Sequence, residues 1–202
     1  ALEHKGLSPR LIHRLDRDTS GVLLAARSPE AVRRLGKSFK DRRVRKIYWA
    51  ITAGVPEQNE GAVKAPLVKA SGPYKDKMVI DEKEGKFALH DFAVLDRMGK
   101  DAAFFAFWPR TGRTHQIRVH AADVLHCPVL GDGKYGGDSE ALEKMAIAPR
   151  LHLHARRLVL HHPLEKKTLD ISAPFPDDLV QSWQELGFDP SYKDDPFPDA
   201  DT

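Results

Sequence analysis

The feature that most constrains the fold of this chain is a succession of short strand-like segments without helices alternating regularly between them. In the segment 47–52, Ile47, Trp49 and Ile51 occupy every second position, which is the period of a strand with one apolar face, and Tyr48 falls on the other face. This pattern predicts an α+β fold with a mixed or mainly antiparallel sheet, rather than a doubly wound parallel sheet. The remaining strand-like segments are 21–26, 86–95, 102–108, 151–155, 157–161 and 169–172.

Helices are predicted at three places in the chain. Ser28 followed by Pro29 is typical of a helix N-terminus, because a serine hydroxyl can cap the first N–H groups and proline suits the first helical position. The region that follows is cationic, with nine Lys and Arg between positions 27 and 46 against two acidic residues. Such a helix is often a solvated face, but this density fits a phosphate-tracking surface equally well. The other predicted helices span 114–126 and 176–186.

The segment 110–120, R-T-G-R-T-H-Q-I-R-V-H, is a second basic segment, with three Arg and two His in eleven residues. Arg113 and His115 lie near the start of a predicted helix, where the first N–H groups favour an anion. Arg118 is flanked by two apolar residues and is expected to lean against the core, where a cation without a partner is costly. We therefore expect a carboxylate beside Arg118, and Asp16 is the candidate because it too adjoins an apolar run.

Charge and composition limit the class of protein. No apolar run approaches the roughly 20 residues that cross a bilayer and no signal-peptide segment opens the sequence, so we expect a cytoplasmic protein with no membrane partner. The single cysteine, Cys127, fits a reducing compartment. Residues 188–202 carry five Asp and one Lys, so the net charge of +3 for the whole chain becomes +7 for residues 1–187. A basic body suggests a polyanionic partner, and the acidic tail is predicted to be disordered.

Three other kinds of chemistry have weak support in the sequence. Ser20 lacks the G-x-S-x-G elbow of a serine hydrolase, and it is crowded against the other candidate triad members, His13 and Asp16. The ten histidines suggest zinc, but none has the C-x-x-C or H-E-x-x-H spacing, and His152 and His154 are expected to share a strand face as hydrogen-bonded residues. There is no Walker A lysine and no dinucleotide fingerprint. We therefore expect neither a metal nor a cofactor.

Four segments together resemble the RluA-type pseudouridine synthases. The segment 13–21, H-R-L-D-R-D-T-S-G, is similar to the long and nearly fixed signature of that family. R-K-I-Y-W-A at 45–50, G-R-T-H-Q-I-R-V-H at 112–120 and L-H-A at 153–155 follow in the family's order, and the resemblance extends over about residues 9–186. It implies the pseudouridine synthase fold, with a long bent sheet, flanking helices and a central catalytic cleft. It also implies isomerisation of uridine to pseudouridine in structured RNA, without a cofactor.

The resemblance assigns roles to individual residues. Asp16 matches the catalytic aspartate that attacks the target uridine, and Tyr48 matches the tyrosine that stacks on the base and is a candidate for moving a proton. Arg118 matches the arginine that forms a salt bridge with the aspartate. Arg14 matches the arginine that, in relatives, enters the RNA stack vacated by the flipped base. The other expected RNA-binding residues are Arg17, Thr19, Arg33, Arg34, Lys37, Arg113 and His115.

The signature residues leave the RNA substrate open. The family acts on large-subunit ribosomal RNA, transfer RNA or both. The variant H-R-L-D-R-D-T-S-G-V-L-L most resembles bacterial enzymes that act on 23S ribosomal RNA, so we expect that substrate, with transfer RNA as the alternative. A non-catalytic RNA-binding module of the same fold is a remote alternative, because a protein that only binds RNA has no use for a buried carboxylate facing phosphates. We expect a monomer.

The chain departs from the family pattern near its start. Members usually carry an earlier strand with a K-P-x-G segment, whereas twelve residues precede His13 in this sequence. Many members also have an N-terminal S4 RNA-binding domain, which this sequence lacks. The expected organisation is therefore a catalytic domain over residues 1–187, with its N-terminal strand and any S4 domain missing, followed by the tail 188–202.

Overall fold

The computed structural model describes residues 8–137 and 145–197. These residues form short strands near the start, a long central run of strands, and three α-helices. In chain order the elements are β1 (Arg10–Leu11), β2 (Ser20–Gly21), β3 (Ala25–Ala26), α1 (Pro29–Lys40), β4 (Arg45–Ala53), β5 (Glu60–Lys64), β6 (Leu67–Lys69), a short 3₁₀ turn (Gly72–Tyr74), β7 (Met78–Ile80), β8 (Leu89–Met98), β9 (Ala102–Pro109), α2 (Gln116–Asp123), β10 (Leu153–His161), β11 (Thr168–Ser172) and α3 (Asp177–Glu185).

Seven strands form the main sheet. Its order is β11-β10-β4-β9-β8-β5, and β2 adds to β10. The β2–β10 pair is parallel, and the other pairs of this sheet are antiparallel. Two small antiparallel pairs, β1 with β3 and β6 with β7, lie outside it. The prediction of an α+β fold with a mixed, mainly antiparallel sheet is confirmed.

The central strand β9 is buried along its whole length and divides the core in two. On one side, the back face, Phe104 packs with Trp49 of β4 and with Trp183 of α3. On the other side, the front face, Phe105 and Phe107 pack in one cluster with residues of α2 and with Tyr48. The predicted alternation in 47–52 is therefore confirmed, because the odd-numbered apolar residues face α3 and Tyr48 faces the opposite way.

Helix α1 begins where the sequence predicts. The Ser28 Oγ accepts a hydrogen bond from the Ala31 N–H at 3.2 Å, and Pro29 occupies the first helical position. Ala31 and Leu35 are the buried side chains of this helix, and they pack with Leu158 and Leu160 of β10. The remaining faces of α1 carry its cations to the solvent.

Three of the predicted strand segments differ from the observed strands. The segment 21–26 holds the second residue of β2, which pairs with β10, and the whole of β3, which pairs with β1. Gly21 lies so close to β10 that a Cβ there would be 2.2 Å from the Ala155 carbonyl oxygen. With φ at +115°, this position needs glycine. The segments 151–155 and 157–161 were predicted as two strands, but residues 153–161 form one strand, β10, which pairs with β4 on both sides of a bulge at Arg156.

The acidic tail does not follow the prediction of disorder over residues 188–197. Phe188 is buried in the back-face cluster, and Tyr192 and Phe197 pack against the same cluster. Asp195 forms ion pairs with Arg45 and Arg157. These contacts continue the folded body past the predicted boundary at 187, while residues 198–202 lie outside the described residues. Among the described residues, no helix has the length and apolarity needed to cross a membrane.

Candidate active site

The three predicted catalytic residues line one cleft, although 102 positions separate the first from the last. The cleft has a volume of about 980 Å³. Asp16 enters it from the loop before β2, Tyr48 from the front face of β4, and Arg118 from the first turn of α2. The sheet and α2 thus bring a carboxylate, a phenol and a guanidinium to the same space.

The loop that carries Asp16 is held from several directions. The Asp16 carbonyl oxygen accepts a hydrogen bond from the Thr19 N–H at 3.0 Å, which closes a turn. The His13 Nε2 accepts one from the Leu24 N–H at 3.0 Å, and the His13 ring stacks on Phe39 of α1 at 4.9 Å between centroids. These contacts hold the half-buried Asp16 carboxylate at the wall of the cleft.

Tyr48 occupies a fixed position on β4. In the sheet register it lies between Phe107 of β9 and Ala155 of β10. Burial, and secondly the negative charge of Asp16, raise the pKa of the Tyr48 hydroxyl to about 12. The side chain is therefore a neutral phenol at physiological pH, with its aromatic ring at the cleft.

Arg118 pairs with Asp132, and the prediction of a direct Arg118–Asp16 ion pair is wrong. The Arg118 Nε and Nη2 each donate to one Asp132 carboxylate oxygen at 2.6 Å, and both side chains are almost fully buried. No nitrogen of Arg118 lies within 4.0 Å of an Asp16 carboxylate oxygen. Burial disfavours the charged guanidinium, but Asp132 outweighs this effect and raises the pKa of Arg118, and the nearby charge of Asp16 adds to the rise.

Asp132 and Tyr135 are site residues that the sequence analysis missed. Asp132 accepts the Lys134 N–H at 3.0 Å in addition to Arg118. The Tyr135 hydroxyl lies 2.8 Å from the His115 Nδ1 and accepts a hydrogen bond from the Met78 N–H at 2.9 Å. For Asp132 the available signal was a carboxylate close to the apolar run 128–130 and separated from it by Gly131, which resembles the signal that selected Asp16.

The predicted RNA-binding residues fall into two groups. Arg14, Thr19 and Arg113 line the cleft, whereas Arg17, Arg33, Arg34, Lys37 and His115 lie outside its lining. On α1, both Arg33 and Arg34 form ion pairs with Glu30, at 2.6 and 2.5 Å, which offsets part of the positive charge of that helix. The strongest concentration of cations therefore lies at the cleft and at the end of α1 rather than along its length.

The cleft is strongly cationic. Among its described lining residues, nine are Lys or Arg and one, Asp16, is a carboxylate. Three of the cations, Arg45, Arg110 and Arg118, have carboxylate partners. The other six have no carboxylate oxygen within 4.0 Å among the residues that the structure describes; they are Arg14, Lys40, Arg42, Arg43, Lys46 and Arg113.

The buried histidines are placed by hydrogen bonds and packing. The His152 Nδ1 lies 3.2 Å from the Leu130 carbonyl oxygen, and the His154 Nδ1 lies 2.8 Å from the Ser20 Oγ. These bonds confirm the expectation that both residues are hydrogen-bonded. Under the front face, the His90 and His120 rings lie 4.9 Å apart between centroids.

Comparisons with known proteins agree with this architecture. The family described as RNA pseudouridylate synthase matches residues 1–123. An RNA pseudouridine synthase of Zymomonas mobilis, itself named as uncharacterized, is 43% identical over 89% of this chain and 77% of its own length. The ribosomal large subunit pseudouridine synthase C of Rickettsia typhi is 37% identical over 87% of this chain, which spans 56% of that relative's length.

A solved structure is similar as well. The human protein titled RNA pseudouridylate synthase domain containing 4 superimposes with a TM-score of 0.77 at 32% identity, covering 91% of this chain and 78% of the human one. The cationic cleft holds a carboxylate, a phenol and a guanidinium, and the fold that carries it is similar to that of the human protein. The chain belongs to the RNA pseudouridylate synthase family, a family of RNA-modifying isomerases.

Proposed function

We propose that this chain converts uridine to pseudouridine in structured RNA, with Asp16 as the nucleophile. The observation that carries the proposal is the cleft, where a half-buried carboxylate and Tyr48 share the lining with nine cations that include Arg118. In the reaction the N1–C1′ bond breaks, the uracil turns, and a C5–C1′ bond forms; C5 loses a proton and N1 gains one, so the composition of the nucleotide is unchanged. A carboxylate attack splits this isomerisation into easier steps.

Tyr48 and Arg118 have distinct roles in this proposal. Tyr48 enters the reaction as a neutral phenol, because its pKa of about 12 keeps the proton in place at physiological pH. Its ring provides a surface for the uracil. Arg118 supplies positive charge near Asp16 without a direct bond between the two side chains. Asp132 holds that guanidinium by two hydrogen bonds, so the arginine keeps its orientation when RNA binds.

The RNA-binding surface in this proposal follows the cleft. A uridine within folded RNA must leave its stack to reach Asp16, at a cost of a few kcal/mol. Arg14 is exposed on the loop that carries Asp16, and it is suited to filling the gap left by the base. Lys40, Arg42 and Arg43 extend the positive surface from the end of α1, where they can contact phosphates.

For the substrate we propose 23S ribosomal RNA. This choice is supported by the amino-acid sequence of the signature at 13–24 and by the Rickettsia relatives, which are named ribosomal large subunit pseudouridine synthase C. Mapping pseudouridines in total RNA from cells with and without the gene tests this choice. We expect a site in 23S ribosomal RNA to be lost; loss of a transfer RNA site alone would reassign the substrate and leave the chemistry standing.

Tritium release tests the chemistry directly. RNA carrying C5-tritiated uridine should lose tritium to water with the unaltered protein, because the C5 hydrogen leaves only on isomerisation. Asp16→Asn should reduce the rate by about a thousandfold or more while RNA affinity is largely kept. Asp18→Asn, an exposed aspartate in the same loop, is the matched control and should stay active. RNA binding without tritium release by the unaltered protein would favour the non-catalytic binding module.

A further inference from the structure

Lys46 stands out among the cations of the cleft. It lies on β4 two residues before Tyr48, and the sheet register places it opposite Leu158 of β10. Because side chains at positions i and i+2 of a strand share a face, Lys46 and Tyr48 both belong to the front face, with their Cα atoms about 7 Å apart. Both line the cleft. A Cβ added at Gly112, in the turn before α2, would lie 3.6 Å from the Lys46 Nζ.

This ammonium group has no counter-charge in the structure. Among the described residues, no carboxylate oxygen lies within 4.0 Å of its Nζ, and no acceptor is within hydrogen-bond distance. Arg14, Lys40, Arg42 and Arg43 also lack carboxylate partners, but they are exposed to solvent, which compensates their charge. The sixth cation of this group, Arg113, is half-buried and donates from its Nε to the Phe87 carbonyl oxygen at 3.0 Å.

The surroundings of Lys46 disfavour its charge. Burial lowers the pKa of Lys46 from its ordinary value. Burial also lowers the pKa of His13, and the charge of Lys46 acts in the same direction, so the ammonium is close to the loop that holds Asp16. A half-buried cation without a partner gains most from an anion that enters with the ligand.

We propose that Lys46 binds a backbone phosphate next to the target uridine. This inference rests on the proposed function, since it takes RNA as the occupant of the cleft. A uracil carbonyl is neutral and would leave the ammonium uncompensated, whereas a phosphate oxygen accepts its hydrogen bond and balances its charge. With Tyr48 beside the base and Lys46 on the backbone, one strand holds both parts of the same nucleotide.

The proposal predicts a change in binding rather than in chemistry. With in vitro transcribed 23S ribosomal RNA carrying C5-tritiated uridine, Lys46→Met should raise KM by about ten- to a hundredfold and change kcat by less than about threefold. Lys46→Arg should recover part of the loss, because it restores the charge with a different donor geometry. Lys100→Met, in the exposed turn between β8 and β9, is the matched control and should behave as the unaltered protein.

The phosphate itself can be identified by ethylation interference, which removes the charge of individual phosphates. On an Asp16→Asn background, which binds without turnover, ethylation beside the target uridine should block binding. Adding Lys46→Met should remove that position from the interference pattern and reduce the salt dependence of log K by about 0.7. An unchanged pattern and slope, or a fall in kcat with KM unchanged, would overturn the proposal.

Two measurements on proteins with Lys46 intact separate this inference from the proposed function. Tritium release by the unaltered protein tests isomerisation alone. Interference with the Asp16→Asn protein tests the phosphate contact even if Lys46→Met does not fold. If no ethylated phosphate beside the target uridine weakens binding of that protein, the inference fails while the enzyme class stands.

Discussion

The cations on the two sides of the seven-stranded sheet differ in whether they have carboxylate partners within the chain. Around the back face, Arg157 pairs with Asp170 and Asp195 at 2.6 and 2.9 Å, and Arg150 pairs with Asp178 at 3.1 Å. At the front face, six cleft cations have no carboxylate partner within 4.0 Å among the described residues. Charges paired within the chain hold the fold together, whereas charges left without an internal partner are available for an external anion.

Arg118 is the most buried of the three cleft cations that have a carboxylate partner. Asp132→Asn removes the negative charge and leaves the buried Arg118 with a neutral amide. We expect a loss of about 3–5 kcal/mol in the free energy of unfolding, since an uncompensated buried charge remains. For a chain of this size the melting temperature should fall by roughly 10 °C.

The matched control for this variant is Asp178→Asn on the back face. Its ion pair with Arg150 is partly exposed, so its loss should cost under about 1 kcal/mol. Thermal and urea denaturation of both variants measure the difference. If both variants lose the same small amount of stability, Arg118 must reach solvent or another partner when Asp132 is replaced. The Arg118–Asp132 pair would then contribute no more to stability than a surface ion pair.

The partner of Arg118 shows where sequence reasoning reached its limit. The position of Arg118 beside the core and its need for a carboxylate were predicted correctly. Several carboxylates lie close to an apolar run, and Asp16 and Asp132 are two of them. The choice between them depends on the turn that follows Leu130, which folds Asp132 back onto α2, and such a turn in space is not encoded in local periodicity.

The strands and the tail give a second lesson. Local rules predicted the Ser28 cap and the alternation along β4, because hydrogen bonding and strand period act over a few residues. The same rules predicted two strands where the structure has only β10, because a bulge at Arg156 interrupts the alternation of side chains while the pairing with β4 continues. Composition also predicted disorder after residue 187, although Phe188, Tyr192 and Phe197 anchor that segment to the back face.

We expect the free energy of unfolding to decrease at acidic pH, because two histidines are buried in the core. Burial, with a smaller contribution from the charge of His120, lowers the pKa of His90 to about 3, and burial lowers that of His154 to about 4. Both histidines are therefore neutral in the folded protein and gain protons more readily in the unfolded chain. Their contribution to stability is complete above the unfolded pKa of about 6.5 and decreases as the pH falls below it.

The front-face histidine offers the cleaner test of this pH dependence. Neither ring nitrogen of His90 has a hydrogen-bond partner in the structure, so His90→Phe removes the titrating group without breaking a bond. Between pH 6.5 and pH 5 the unaltered protein should lose about 2 kcal/mol through His90, and the variant should lose correspondingly less. His161→Gln, at an exposed position, is the control for urea denaturation across this range. An unchanged pH dependence in His90→Phe would show that the ring is hydrated.

The smallest expected effect concerns Asp195, where the two faces meet. Arg45 lines the cleft, but its guanidinium forms an ion pair with Asp195 and donates a hydrogen bond to the Phe197 carbonyl oxygen. Asp195→Asn removes the charge that pairs with Arg45 and Arg157, so we expect a loss of about 1 kcal/mol in stability from these partly exposed pairs.

The same change should strengthen RNA binding, because it converts Arg45 from an internally paired cation into one available to phosphate. One additional phosphate contact would steepen the dependence of log K on log salt by about 0.7 and raise affinity a few-fold at low salt. Asp194→Asn removes an equal charge from an exposed neighbour, and it separates this local effect from a general loss of negative charge. If both variants shift the salt dependence equally, long-range repulsion from the acidic segment governs binding. If Asp195→Asn alone steepens it, internal pairing decides which cations of the cleft remain available for RNA.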